Sequence, residues 1–387
     1  MEYGAVKVGN GPHLLVKNFV QFSIAIVAYW VLGYGFSFRY VNSEFIGEVA
    51  FGGKGWLEKN ELGNGECYSF YVLLGTFMLF IINLAIIERA TYLFFHFFTF
   101  LLMVFCWPAV VAWIYSDDGW LVDSIKDEIL DFGADIVVYI FAGSFGLVTV
   151  LLLGRRPDRY TETTANSLPK PALYILGCFL TILGVFGIAV SQQPANSDQS
   201  IYSSMHNLWI SAGASGITAL KLVTLFDKDL NAHFISLHQG FIAGMIFIAD
   251  SSGNTTPWQA GIVGILSGLV FTFFYFFMRK FKIDDGLDVC ATFLVPGIFG
   301  GILPGFLDDD KGVFWAGWES GQTLGTQTVG TFVVLFWSAF WALVIAGIFR
   351  IFKLLRLSDE ILAHTLSETV ITHRGYQTGR SHKGNNS

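Results

Sequence analysis

Three residues set four apart, Asp131, Asp135 and Tyr139, head the apolar run LDFGADIVVYIFAG, residues 130–143. On a helix they share one face. An acid at the helix start can accept backbone N–H bonds from the first turn and complement the positive dipole end. A carboxylate held in that way stays ionised and favours a cation nearby, so for Asp131 the capping and binding readings coincide. Asp135 lies one turn deeper. A carboxylate inside a membrane is costly and marks a functional site by default; the alternatives for Asp135 are reaching back toward the outer surface or pairing with a polar neighbour. Tyr139 can donate and accept a hydrogen bond but hardly titrates at neutral pH.

The element that must position these residues is a membrane helix. The chain has 387 residues, of which 53% are hydrophobic and 14% charged, and 39 are Phe. Soluble domains carry about 25% charged residues, and a soluble fold could not hide so much apolar surface. The class is therefore all-α and polytopic. Ten segments have spanning length, at about 14–38, 67–87, 92–116, 133–153, 172–191, 203–226, 233–250, 257–278, 286–306 and 328–352, the seventh being the weakest. With these spans alternating, eighteen Lys and Arg residues fall on one side. Only Arg39, Lys54, Lys59, Lys126 and Lys311 fall on the other, which puts both ends of this chain in the cytoplasm. The expected division is a transmembrane domain over 1–352 and a cytoplasmic tail over 353–387. The four cysteines have no metal-ligand spacing. No nucleophile–base pair, phosphate loop or metal cluster stands out, so neither an enzyme nor a cofactor is expected, and no nucleic-acid partner. Glu88-Arg89, at the inner end of the second span, reads as a structural ion pair.

A second stretch repeats the pattern of the first. In IDDGLDVCATFLVPG, residues 283–297, Asp285 starts the ninth span and Phe293 lies eight residues deeper, as Tyr139 lies eight beyond Asp131. The two spans enter the bilayer from opposite sides and stand five spans apart, the mark of an inverted-topology repeat whose substrate path lies between the halves. Asp284 and Asp285 read first as helix-start caps.

Several of these segments resemble the ammonium transporter family (Amt/Mep/Rh). The opening residues 1–38 resemble the end of its helix 1, the short inner loop and helix 2. AIIERATY resembles its Ala-Glu-Arg motif, WPAVVAWIYSDDGWL the stretch around its vestibule Trp, and LDFGADIVVYIFAG its Asp-Phe-Ala-Gly signature. HQGFIAGMIFIAD…TPWQAGIVGILSG and IDDGLDVCATFLVPGIFGGIL match helices 8 to 10 in order and spacing. The resemblance runs over residues 1–375. It implies two inverted five-helix repeats plus a C-terminal helix, with helix 1 missing or lying upstream of this chain. It also implies an integral protein of the plasma membrane, a homotrimer, and ammonium, ammonia or methylammonium as substrate.

The resemblance assigns sites residue by residue. Asp131 matches the acid that organises the outer vestibule. Phe70 and Leu74 match the stacked Phe pair, and Tyr115 matches the vestibule Trp, keeping a weaker face for cation–π attraction. Tyr139 and Phe293 match the two pore histidines, both lost, and Asp135 replaces a small residue of the signature. Family transport implies recruitment of ammonium, loss of a proton, and passage of ammonia past the imidazoles. A pore without them leaves three readings: an ammonium channel with altered chemistry, a non-conducting sensor or regulatory subunit, or a channel for another small neutral molecule. Thr372, in the tail, falls near a threonine that the plant branch phosphorylates.

Overall fold

A computed structural model describes residues 1–6, 11–38, 47, 51–53, 64–116, 119–123, 129–156, 160, 169–193, 198–308, 312–317 and 321–357. The acidic loop residues Asp117, Asp118, Asp309 and Asp310, and Thr372 of the tail, lie outside these. Among the described residues ten helices are long and apolar enough to cross a membrane: Gly11–Ser37, Cys67–Ala85, Tyr92–Tyr115, Asp135–Leu153, Pro171–Ser191, Gln199–Phe226, Leu230–Asn254, Pro257–Lys280, Cys290–Leu307 and Gly321–Ile351. They follow the ten expected spans in order. The seventh, the weakest in sequence, runs the full Leu230–Asn254, its last turn tightened to a 3₁₀ form over Ala249–Asn254. Val16, Phe19, Leu180, Leu225, Phe273 and Phe336 stay exposed, which suits a surface solvated by lipid chains.

The spans pack as two halves. The sixth, seventh and eighth lie against one another, the fourth lies against the second, ninth and tenth, and the ninth lies against the seventh and eighth. Small residues bring backbones close in the second half. Ser211 Oγ donates to the Gly244 carbonyl at 2.7 Å and Ser215 Oγ to the Gly240 carbonyl at 2.6 Å. In the first half the tenth span is stitched to the fourth: Ser338 Oγ donates to the Phe141 carbonyl at 2.6 Å and Ser144 Oγ to the Leu335 carbonyl at 2.9 Å.

The two spans that carry the repeated motif cross at the centre. Gly143 lies four residues after Tyr139, and Gly297 four after Phe293. A Cβ at Gly143 would stand 2.5 Å from Leu294 Cβ, and one at Gly297 would stand 3.1 Å from Tyr139 Cβ and 3.4 Å from Ile140 Cγ1. Each glycine thus receives the partner helix at its aromatic residue or the next, a reciprocity that an inverted repeat requires.

The inner ends are tied by charge. Arg156 grips Asp284 with Nε at 2.9 Å and Nη2 at 2.8 Å, while its backbone N–H adds a third bond at 2.8 Å. Arg89 Nη1 stands 3.6 Å from the same carboxylate, and Glu88 reaches Arg156 at 3.4 Å. Asp284 is therefore an ion-pair centre and not the helix cap its position suggested, because a buried guanidinium, Arg89, and a half-buried one, Arg156, converge on it. The start of the tail docks here as well. Leu357 N–H donates to the Arg89 carbonyl at 2.9 Å and Thr91 N–H to the Leu355 carbonyl at 3.1 Å.

Candidate functional site

The outer site is built on the loop that leads into the fourth span. Gln327 of the tenth span clamps it, donating to the Leu130 carbonyl at 2.8 Å and accepting the Leu130 N–H at 3.0 Å. Ala134 closes the turn in the left-handed region at φ 60°, a conformation costly for a residue with a Cβ. The turn is held from both sides: Ala134 N–H donates to the Asp131 carbonyl at 3.3 Å, and Gly133 N–H donates to Asp250 Oδ1 at 2.6 Å.

This turn presents Asp131 to the helix start. Its Oδ1 accepts the Ile136 N–H at 2.8 Å and its Oδ2 accepts the Val137 N–H at 3.2 Å. The Tyr115 hydroxyl donates to Oδ2 at 2.9 Å and also stands 3.1 Å from the Asp131 carbonyl. Burial pushes the Asp131 carboxyl up to about 6, against the pull of the Ile136 amide, the Tyr115 hydroxyl and the Val137 amide toward the ionised form. The acid is thus a helix cap and a carboxylate that titrates just below neutral pH.

Aromatic rings line up beside it. Tyr115, anchored through its hydroxyl, packs on Tyr71 at 5.8 Å between centroids. Tyr71 meets Phe70 edge-on at 5.2 Å and Phe38 at 4.9 Å. Tyr115 and Phe70 therefore belong to one aromatic group, but Tyr71, which sequence reasoning did not single out, is the ring that joins them. Asp135 is fully enclosed and does not reach the outer surface. Its carboxyl lies toward the ninth span, in the space left by Gly300, where a Cβ would overlap Asp135 Oδ2.

Deeper in, the residues matched to the pore stand together. Tyr139 and Phe293 face each other at 6.2 Å between centroids, tilted by 32°, and Phe77 meets Tyr139 edge-on at 6.2 Å. Leu74, three residues before Phe77 on the second span, is buried. The Tyr139 hydroxyl has no hydrogen-bond partner among the described residues. Both aromatics lie on widened π-helical turns, Asp135–Ile140 and Cys290–Leu294. Such turns leave carbonyls without their usual partners, and Trp107 Nε1–H serves one of them by donating to Val137 at 3.2 Å. A cavity of about 350 Å³ runs past Phe77, Ile81, Leu84 and Phe293 toward Asn18 and Thr181.

At the opposite end Asp285 repeats the geometry of Asp131. Its Oδ2 accepts the Cys290 N–H at 2.7 Å, five residues on, as Asp131 reaches Ile136. Burial, reinforced by the charge of Asp288, pushes the Asp285 carboxyl up to about 7.

Comparison with known proteins agrees with this architecture. A family model described as the Ammonium Transporter Family matches residues 1–369. The chain is 26% identical over 368 residues to ammonium transporter 3 of Dictyostelium discoideum, covering 90% of this chain and 82% of that protein. It is 25% identical to ammonium transporter 1 member 2 of Oryza sativa subsp. japonica, covering 92% and 78%. Among solved structures, a Sensor Amt Protein superposes with a TM-score of 0.80 at 24% identity, covering 93% of this chain and 90% of that one. Mep2 of Candida albicans superposes at 0.75 with 22% identity, covering 88% and 78%. Ten membrane-length helices, two inverted motif-bearing spans that cross at the centre, and a family match over nearly the whole chain lead to one conclusion: the protein belongs to the ammonium transporter family.

Proposed function

We propose that the protein passes ammonium across the bilayer as ammonia, with methylammonium as a transported analogue. The observation that carries this reading is the outer clamp, in which a buried carboxylate is held by two amides and the Tyr115 phenol, with Tyr71 and Phe70 packed in succession against the Tyr115 ring. An acid and aromatic faces together favour a small monovalent cation. Beyond them the rings of Phe77, Tyr139 and Phe293 pack together, with Leu74 buried one turn away on the second span, an apolar setting where a bare ion would lose its hydration without compensation. The species that crosses is then neutral. In this reading Asp131 recruits, Phe70 and Tyr115 line the vestibule, Leu74, Tyr139 and Phe293 line the pore, and Asp285 caps the pore helix of the other repeat. The protein works as a homotrimer in the plasma membrane, with residues 353–387 as a cytoplasmic tail.

One observation favours a second reading, a non-conducting sensor or regulatory subunit. The Tyr139–Phe293 contact offers a passing ammonia one hydroxyl and no titrating group. The superposed Sensor Amt Protein is itself named for sensing, and at 24% identity that likeness speaks for the fold alone.

Expression in a yeast strain lacking its own ammonium transporters separates the two. Growth on low ammonium and uptake of labelled methylammonium are expected. Absence of both, with the protein at the cell surface, would sink the transport reading and leave the sensor. In a conducting protein Tyr139→Phe removes the midplane hydroxyl and keeps the ring. A fall in flux is expected, and unchanged flux would remove the hydroxyl from the path.

A further inference from the structure

Recruitment at Asp131 leaves a second pair of acids without a task. Asp135 is fully enclosed, and neither of its carboxyl oxygens makes a hydrogen bond with a donor among the described residues. Asp250, at the outer end of the seventh span, is 3% exposed. Its Oδ1 takes the Gly133 amide at 2.6 Å while its Oδ2 is unmatched. The two side chains are neighbours: Asp250 bonds Gly133, two residues before Asp135, and the Asp135 carboxyl shares the space at Gly300 with the carbonyl of Ile246, one turn before Asp250 on the seventh span. Two glycines make the room. A Cβ at Gly133 would stand 2.9 Å from Asp250 Oδ1, and a Cβ at Gly300 would overlap Asp135 Oδ2 and stand 2.8 Å from the Ile246 carbonyl.

Two carboxylates cannot both stay ionised side by side in a dry interior. A metal ion does not resolve the conflict, since no cluster able to hold one exists among the described residues, and no cationic side chain among them pairs with either acid. Unmatched acceptor oxygens on neighbouring acids have a simpler remedy: one carboxyl keeps its proton and donates it to the other. An independent group lies beside the pair. The Tyr139 hydroxyl is fully buried and also without a partner among the described residues, and Tyr139 stands four residues after Asp135 on the same helical segment. The titratable groups around the pair are Asp131, Tyr139 and Tyr115.

We propose that Asp135 and Asp250 form a carboxyl–carboxylate pair that holds one proton between them and takes up a second from ammonium recruited at Asp131. This rests on the ammonium reading. An N–H bond of the ammonium ion breaks, its electron pair staying on nitrogen, and a new O–H bond forms on the free oxygen of the pair. The proton travels by way of Asp131, which holds the same 131–134 turn as Asp250, so the pair is a proton store and does not touch the substrate. The pair goes from one negative charge to none, and ammonia moves on past Tyr139. The second proton then returns through Asp131 to the outer water, and the net movement is of ammonia.

The full chain in liposomes allows both halves to be tested. Difference infrared spectra at neutral pH, wild type minus Asp135→Asn and wild type minus Asp250→Asn, are expected to show the same protonated carboxyl band, shifted in D2O. A wild-type protein without that band would overturn the shared proton. In flux assays each variant is expected to lower the maximal ammonia flux at least tenfold, leave the half-saturating concentration within twofold, and flatten the pH profile. Should Asp135→Asn fail to fold, Asp250→Asn decides alone. Variants with wild-type flux and pH profile would overturn the proton uptake while leaving the transport reading intact. A wild-type protein that shows the band but no flux would overturn transport, and the uptake step with it, and would uphold the shared proton.

Discussion

Replacing Asp131 by Asn separates the observed capping role of this carboxylate from the recruiting role proposed for it. The side chain accepts from Ile136 N–H at 2.8 Å, Val137 N–H at 3.2 Å and the Tyr115 hydroxyl at 2.9 Å. Asn has the same shape but one acceptor oxygen and an NH2 group. With its oxygen toward Ile136, it keeps the shorter bond and turns a donor toward Val137 N–H. Tyr115 can turn to the Asp131 carbonyl at 3.1 Å, so one buried amide is orphaned, at a cost of about 1–3 kcal/mol. The helix start should survive that loss. The charge does not survive. A cation about 6 Å from a carboxylate gains about 0.7–2.8 kcal/mol as the effective dielectric falls from about 80 to about 20, a factor of about 3 to 100 in occupancy. Uptake of labelled methylammonium by Asp131→Asn, normalised to surface protein, should therefore show a half-saturating concentration raised by a factor in that range. Wild-type affinity in a well-expressed Asn variant would refute the argument and leave Asp131 as a helix cap only.

Three further outcomes are expected from the geometry. Gly143→Val pushes a side chain into Leu294 at the helix crossing, and overpacking of this kind costs about 1–3 kcal/mol, seen as a lower thermal midpoint in detergent. Asp284→Asn leaves the buried Arg89 and the half-buried Arg156 short of their counter-charge, and breaking one side of such a network costs about 3–5 kcal/mol, which unfolding in denaturant would register. The third concerns pH. The Asp131 carboxyl, raised to about 6 from 3.8, is ionised above that value. Recruitment should weaken as the outer pH falls through about 6, by about tenfold per unit below it, and Asp131→Asn should abolish that dependence. The sign for stability is opposite. The folded chain holds this proton more tightly than the unfolded one, so the contribution of Asp131 to stability is lost as pH rises from about 3.8 to 6.

The spans were legible because hydropathy alone demands them, and the repeat because Asp131–Tyr139 and Asp285–Phe293 share an eight-residue spacing that survives folding. The capping of Ile136 and Cys290, each five residues beyond its acid, keeps the same register. Other features were hidden for identifiable reasons. Asp250 meets Gly133 across 117 residues, a separation on which no local pattern bears. Tyr71 stands next to Phe70 in sequence, and a difference of one residue turns a side chain by about 100° around a helix, so which ring meets Tyr115 depends on the helix's rotation. Asp284 read as a cap because it precedes a span, and only the folded chain brings Arg89 and Arg156 to it.

The widened turns at Asp135–Ile140 and Cys290–Leu294 also bear on how this protein can change over evolutionary time. Each accommodates one residue more than a regular helix would use. A one-residue deletion there would restore ordinary winding and rotate the rest of the span by about 100°, carrying Gly143 or Gly297 off the crossing. Point substitutions at positions 139 and 293 keep the register and leave Gly143 and Gly297 at the crossing. Variation within these two segments should therefore take the form of exchanged side chains and not of insertions or deletions.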